Sequence, residues 1–158
     1  MSNGFVYRFG LPGKFIVVRL KTGVDLLLSL KKIVEENGIK AGVILSGVGL
    51  LGKARIRNVK ILPEKFPISD EHRVILSFDG PLEILSLSGN ISLIKDEPNV
   101  HLHATLSYYD GKSIEVVGGH VIEGCMVFSF VEIVIMEIEN IQMIKGFDSE
   151  TKTFQLFA

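Results

Sequence analysis

The 158-residue chain predicts an α+β fold: a mostly antiparallel, strongly twisted or barrel-like sheet with one main helix over about residues 23–37, assembled as an oligomer. Three observations carry this expectation. Only one stretch has helical periodicity, with Leu26, Leu27, Leu30, Ile33 and Val34 forming an apolar stripe opposite Lys31, Lys32, Glu35 and Glu36. Most of the remainder alternates with the period of a strand. Finally, Val127–Ile138 is apolar at both parities: Val127, Val131, Ile133 and Ile135 lie on one side, and Phe128, Phe130, Val134 and Met136 on the other. One helix cannot cover both faces of such a sheet, so either the sheet closes on itself or other subunits bury what is left.

Taken in order, Phe5–Phe9 and Lys14–Leu20 read as strands separated by a turn at Gly10-Leu-Pro-Gly13. Thr22 is placed to cap the helix, with Asp25 at its third position, and Asn37-Gly38 ends it. Strands then follow at Ala41–Ser46, Lys53–Leu62, Arg73–Phe78, Leu82–Ile94 and Val127–Ile138, with short pieces near Met143 and Phe154. Pro63–Glu71 reads as a surface loop.

The segment that carries chemistry lies between. His101 to Tyr109 reads as a strand, Asp110-Gly111 as a two-residue hairpin turn, and Lys112 to Gly124 as the returning strand. In that register His101 falls opposite His120, and His103 lies two positions along on the same face. Opposed Cβ atoms are about 5 Å apart and diagonal ones about 7 to 8 Å, so three imidazoles converge on one point. Neutral imidazoles suit zinc and neighbouring transition metals, and a three-histidine set leaves a position for water or substrate. His101, His103 and His120 are thus candidate ligands of a divalent metal, zinc by preference. The bland alternative is a hydrogen-bonded cluster at a subunit interface. His72, beside Asp70 and Glu71 in the predicted loop, reads as an ordinary surface histidine. Glu83 and Glu115 are candidate supporting or proton-transfer carboxylates, though spacing alone does not bring either to the histidines.

Composition bounds the rest. The length and a 47% apolar content suit one domain over 1–158. A net charge of −1 gives no overall footprint for gripping nucleic acid through its phosphates. The charge is uneven, however: residues 1–79 hold 13 Lys and Arg against 7 Asp and Glu, residues 80–158 hold 4 against 11, an asymmetry that suits complementary subunits. A single cysteine, Cys125, set beside Met126, Val127 and Phe128, reads as a buried inert thiol and suits a reducing compartment. Without a signal peptide or an eighteen-residue apolar run, the expected location is cytoplasmic, with no membrane partner.

Two motifs look sharper than they are. Gly47-Val-Gly49-Leu-Leu-Gly52 matches a dinucleotide-binding fingerprint but is followed by an alternating strand instead of the helix that would receive the pyrophosphate, so the glycines read as a tight turn. Lys53, Arg55 and Arg57 share one strand face, a pattern read as an ordinary solvated stripe, since aromatic interleaving is sparse.

Taken together, Arg19-Leu-Lys-Thr-Gly-Val-Asp25, Leu45-Ser-Gly-Val-Gly49, Glu83-Ile-Leu-Ser-Leu-Ser-Gly-Asn-Ile91, His101-Leu-His103 and Val117-Gly-Gly-His120 resemble the plant and prokaryote conserved (PPC) domain across nearly the whole chain. The resemblance implies a compact α+β domain assembled as a homotrimer, with a bound metal in prokaryotic members whose histidine pattern matches His101, His103 and His120. Plant members join the domain to AT-hooks of the form Arg-Gly-Arg-Pro, and none occurs here, so the family's DNA-binding association comes without the residues that bind. The fold also resembles acetolactate decarboxylase, a zinc enzyme, by which Glu83 becomes a candidate proton carrier. Two functions follow as expectations: a homotrimeric metal-containing binding module for a small molecule or protein, and, as alternative, a metal-dependent hydrolase or lyase acting on a small carbonyl compound.

Overall fold

A computed structural model describes residues 4–157. Its strands are β1 (Leu11–Lys21), β2 (Gly42–Val59), β3 (Arg73–Ile94), β4 (Glu97–Tyr109), β5 (Ile114–Val121), β6 (Met126–Glu139), β7 (Lys145–Asp148) and β8 (Thr153–Leu156), and its helix is α1 (Leu26–Glu36). Six strands form an antiparallel sheet in the order β1-β6-β2-β3-β4-β5, and β7 with β8 makes a separate hairpin. The sheet turns back on itself. One edge of β2 pairs with β6 over its first two thirds and then with β5 at Ile56↔Val121 and Arg57↔His120, so β2, β3, β4 and β5 form a partial ring. The expected twisted, barrel-like α+β sheet is what the structure shows.

The core lies between this curved sheet and α1. Leu26, Leu30 and Val34 of the helix are fully buried, as are Ile91, Leu102, Leu106, Val131, Ile133 and Ile135 of the strands. The helix begins later than expected, because Asp25 and not Thr22 is its cap: Asp25 Oδ1 accepts from Leu28 N at 2.9 Å, while Thr22 Oγ1 donates to the Ser129 carbonyl. Asp25 Oδ2 also accepts from Gly124 N at 2.6 Å, so one carboxylate ties the helix start to the β5–β6 connection. Asn37 and Gly38, with φ +62°, close the helix as anticipated.

Three sequence expectations need correction. Phe5–Phe9 forms no strand, and Gly10–Gly13 is no turn: β1 runs from Leu11 with a bulge between Pro12 and Phe15 that accommodates the proline. The pairs of strands expected at 41–46 and 53–62, and at 73–78 and 82–94, are each one long strand. Turn residues misled here because Gly47, Gly49 and Gly80 serve close approach: a Cβ on Gly49, at φ +146°, would strike the backbone of Phe130 and Val131 on β6. Lastly, the β4–β5 loop is four residues, Asp110–Ser113, closed by Asp110 Oδ1 accepting from Lys112 N and Ser113 N at 2.7 Å each.

Outside the core, Phe15 and Val17 of β1, Leu45 and Val48 of β2, and Phe128 and Phe130 of β6 are 45–79% exposed. On the second apolar parity of β6, Phe128 and Phe130 are therefore uncovered among the described residues, while Val134 and Met136 are half-buried. Among the described residues no helix is long and apolar enough to cross a membrane.

Candidate metal centre

The longer hairpin loop shifts the β4–β5 register by two. His103, and not His101, stands directly opposite His120, with His101 one diagonal step away. A shift of two keeps every side chain on its face, so the convergence survives the register error. Leu102, Ala104 and Leu106 point into the core, which sends the intervening His101 and His103 to the other side. The three ring centroids are 5.0 to 5.3 Å apart, and one ligand nitrogen from each ring lies within 4.8 Å of the others.

His101 Nε2 and His103 Nε2 approach to 3.2 Å. Two nitrogens each about 2.0 to 2.1 Å from one tetrahedral zinc are held about 3.4 Å apart, so this spacing is that of two ligands on one ion. A hydrogen bond between the rings needs only the Nε2–H tautomer of one neutral imidazole, but it would leave His120 out: among the described residues its ring nitrogens have no hydrogen-bond partner. Protonation is disfavoured at His120 and at His101. Burial, then Arg57 and the two neighbouring histidines, push His120 down to about 4. Burial, then Lys145, His103 and Arg57, lower His101. Imidazoles held neutral keep the lone pairs that a metal requires. Asn90, across the β3–β4 ladder from His101, has a buried Oδ1 without a hydrogen-bond partner among the described residues; ligating histidines commonly use such an acceptor for their second ring N–H.

The histidines border a cavity of about 710 Å³, in the range of small-molecule sites. Its wall combines Leu27 and Lys31 of α1, Arg55 and Arg57 of β2, His101 of β4, His120 of β5, Glu123 and Lys145. The closing of the ring at Arg57↔His120 brings the first cation in, and the bridge of Leu93 to Ile144, with Leu93 N donating to the Met143 carbonyl, brings Lys145 in from the far end of the chain. Arg57 was visible in the sequence only as one member of a basic stripe. Lys145 carried no signal at all, since its arrival depends on the path of residues 140–145.

The remaining candidates lie elsewhere. Glu83 pairs with Ser107, four residues along β4 from His103, or about 13 Å at strand rise. Glu115 accepts from Ser113 Oγ at 2.7 Å on the exposed hairpin. His72 forms a capping box with Ser69, a structural role. Cys125 is 1% exposed and bonded to both Arg55 N and the Arg55 carbonyl, and burial raises its thiol pKa.

Known proteins of similar sequence and fold place the chain in a family. The bifunctional protein GlmU of Synechococcus sp. (strain JA-2-3B'a(2-13)) is 32% identical over 147 residues, 92% of this chain; the chain spans about a fifth (20%) of that relative. The metal-containing protein AF0104 from Archaeoglobus fulgidus superimposes with TM-score 0.79 at 30% identity, over 98% of this chain and 100% of its own. A PPC protein of Pyrococcus horikoshii gives TM-score 0.77 at 27% identity, over 95% and 96% of the two chains. Proteins called DNA-binding share the fold at 20% identity or less, a likeness of fold alone. Acetolactate decarboxylase aligns at TM-score 0.49, too loosely to bring chemistry with it. The family model of the Plants and Prokaryotes Conserved (PCC) domain matches residues 7–139, and the chain belongs to that family.

Proposed function

We propose that this protein is a metal-containing binding module, acting as one domain over 1–158, whose ion is held by His101, His103 and His120. The observation that carries the reading is the convergence of three imidazole nitrogens within 4.8 Å of one another, with His101 and His120 at the edge of a cavity. Zinc is the preferred ion, since a borderline-soft cation matches an all-imidazole donor set, and an ion so held retains a position for an external ligand. The name of the Archaeoglobus relative, a metal-containing protein, supports the assignment. Homotrimeric assembly follows from the family resemblance and is supported by the uncovered apolar residues of β1, β2 and β6. A cytoplasmic location suits the single buried thiol. DNA is the weakest of the candidate partners, given the charge of −1.

Elemental analysis of protein purified without added metal tests the site. About one ion per chain is expected in the wild type and almost none in a His101→Ala/His103→Ala variant; a wild type that stays metal-free after incubation with zinc overturns it. Sedimentation equilibrium tests the assembly, and a monomer at micromolar concentration would refute the trimer.

A second reading, a metal-dependent hydrolase or lyase acting on a small carbonyl compound, draws on one observation: the cavity opens directly onto His101 and His120. A ligated metal supplies Lewis-acid polarisation in such chemistry. The reading also needs a group that moves a proton, and the candidate from the resemblance, Glu83, stands about 13 Å along β4 from His103 and outside the cavity wall. Turnover that survives Glu83→Gln would remove that residue from the scheme.

A further inference from the structure

The charges around the cavity do not balance. Its lining holds four cationic side chains, Lys31, Arg55, Arg57 and Lys145, against the single carboxylate of Glu123. Glu123 is already engaged: Lys31 Nζ lies 3.1 Å from its Oε1. Arg55 Nη1 donates to the Glu123 carbonyl at 3.0 Å. Arg57 and Lys145 have neither a hydrogen-bond nor an ion-pair partner among the described residues, although both are partly withdrawn from solvent. They sit on the two sides of the histidines, Arg57 directly paired with His120 and Lys145 arriving from β7.

This arrangement is the reverse of what a histidine-held ion ordinarily needs. Such sites place carboxylates behind the ligands, where negative charge raises their basicity. Here a divalent ion would join two unpaired cations, all three like-charged and partly desolvated, with no carboxylate in the cavity wall beyond the engaged Glu123 among the described residues. Like charges that are partly withdrawn from solvent repel one another, so the missing counter-charge has to come from outside. Guanidinium and ammonium groups around a metal with a vacant coordination position are the recurring apparatus for oxyanions, arginine supplying a planar pair of donors and lysine a point charge.

We propose that the cavity binds a small oxyanion, a carboxylate or a phosphate, that bridges the histidine-held metal and the Arg57 and Lys145 side chains. The proposal names the ligand class of the site and rests on the metal reading given above. A volume of about 710 Å³ suits a metabolite of modest size. The second opening, beside His103, is lined by Arg57 again and by Arg73, whose Nη1 is engaged by Asp70 Oδ1 at 3.2 Å, so Arg57 is the unpaired cation that faces both openings.

Calorimetric titration of the full chain with inorganic phosphate and, separately, with malonate tests this, each on zinc-loaded and on chelator-treated protein whose metal content is measured in the same samples. Saturable binding of at least one anion is expected, tighter in the loaded form, and the preferred probe separates phosphate from carboxylate ligands. Arg57→Gln and Lys145→Gln, on different elements, should each weaken binding at least tenfold while metal content is retained. Lys53→Gln, which removes the same charge from β2 away from the cavity, should leave it unchanged. Loaded protein that binds neither anion, or that binds them equally well in both cavity variants, overturns the proposal and leaves the metal site standing. Should the protein take up no metal, the metal reading fails by itself; Arg57- and Lys145-dependent anion binding would then still support an oxyanion site, and its absence would refute one.

Discussion

The core under α1 and the histidine corner beside it share strands β2, β4 and β5, yet they are completed in different ways. In the core every group finds its partner within the chain: apolar side chains from helix and sheet bury one another, and the helix start is satisfied by Asp25 and by the Cys125 carbonyl, which accepts from Leu26 N. In the corner three imidazoles, Arg57, Lys145 and the Oδ1 of Asn90 share among the described residues a single polar contact, His101 Nε2 to His103 Nε2. Buried or half-buried polar groups are costly when unpaired, and a fold retains them where something else supplies the partner. The core shows what the chain does for itself, and the corner shows what it leaves for a ligand.

If the two regions are independent in this sense, each can be damaged alone. The largest stability effect is expected from Leu30→Ala, a fully buried helix residue: a loss of about 2 to 5 kcal/mol in urea denaturation, with metal content per folded chain unchanged. Loss of the metal in that variant would break the distinction, because it would make the corner depend on core packing. Asp25→Ala comes next. It removes the helix cap and the tie to Gly124, for a loss of about 1 to 2 kcal/mol. Since Gly124 adjoins Glu123 in the cavity wall, this variant sharpens the comparison: a change in anion affinity without a change in metal content would locate the boundary between the regions at the β5–β6 connection.

How much of this was legible in the sequence follows the same division. The core was readable because it is periodic: the 3.6-residue stripe of α1 and the alternation along the strands state which side chains go inward, and they are the ones found buried. Punctuation was less reliable. Glycines at 47, 49 and 80 suggested turns, yet they permit long strands to cross at close range, a requirement set by the partner strand and invisible in the local pattern. The histidines were found although the loop was misjudged, since an error of two residues preserves the face while an error of one would have scattered them. The cations were not found as a pair. Arg57 meets His120 only because the ring closes, and Lys145 meets His101 only through the turn of the chain after β6, both being contacts between segments far apart in sequence.

The smallest effect concerns pH, and it too should belong to the corner. In the metal-free protein His120 titrates at about 4, burial being the main cause, whereas an unfolded histidine titrates near 6.5. Between those values the unfolded chain binds the proton and the folded chain does not, so stability is complete above pH 6.5 and declines as pH falls toward 4. His101, also lowered, acts in the same direction. Asp110 and Asp148 act lower down: hydrogen bonds from Ser113 and Thr151 hold them below their usual range, so the stability they contribute is lost in more acid solution. Urea midpoints of chelator-treated protein should therefore fall between pH 7 and pH 4.5. His120→Asn should flatten that dependence, and Leu30→Ala should lower the whole curve without changing its slope. A slope undiminished in His120→Asn would mean that the acid sensitivity arises outside the corner, and that neutral imidazoles are not what its burial maintains.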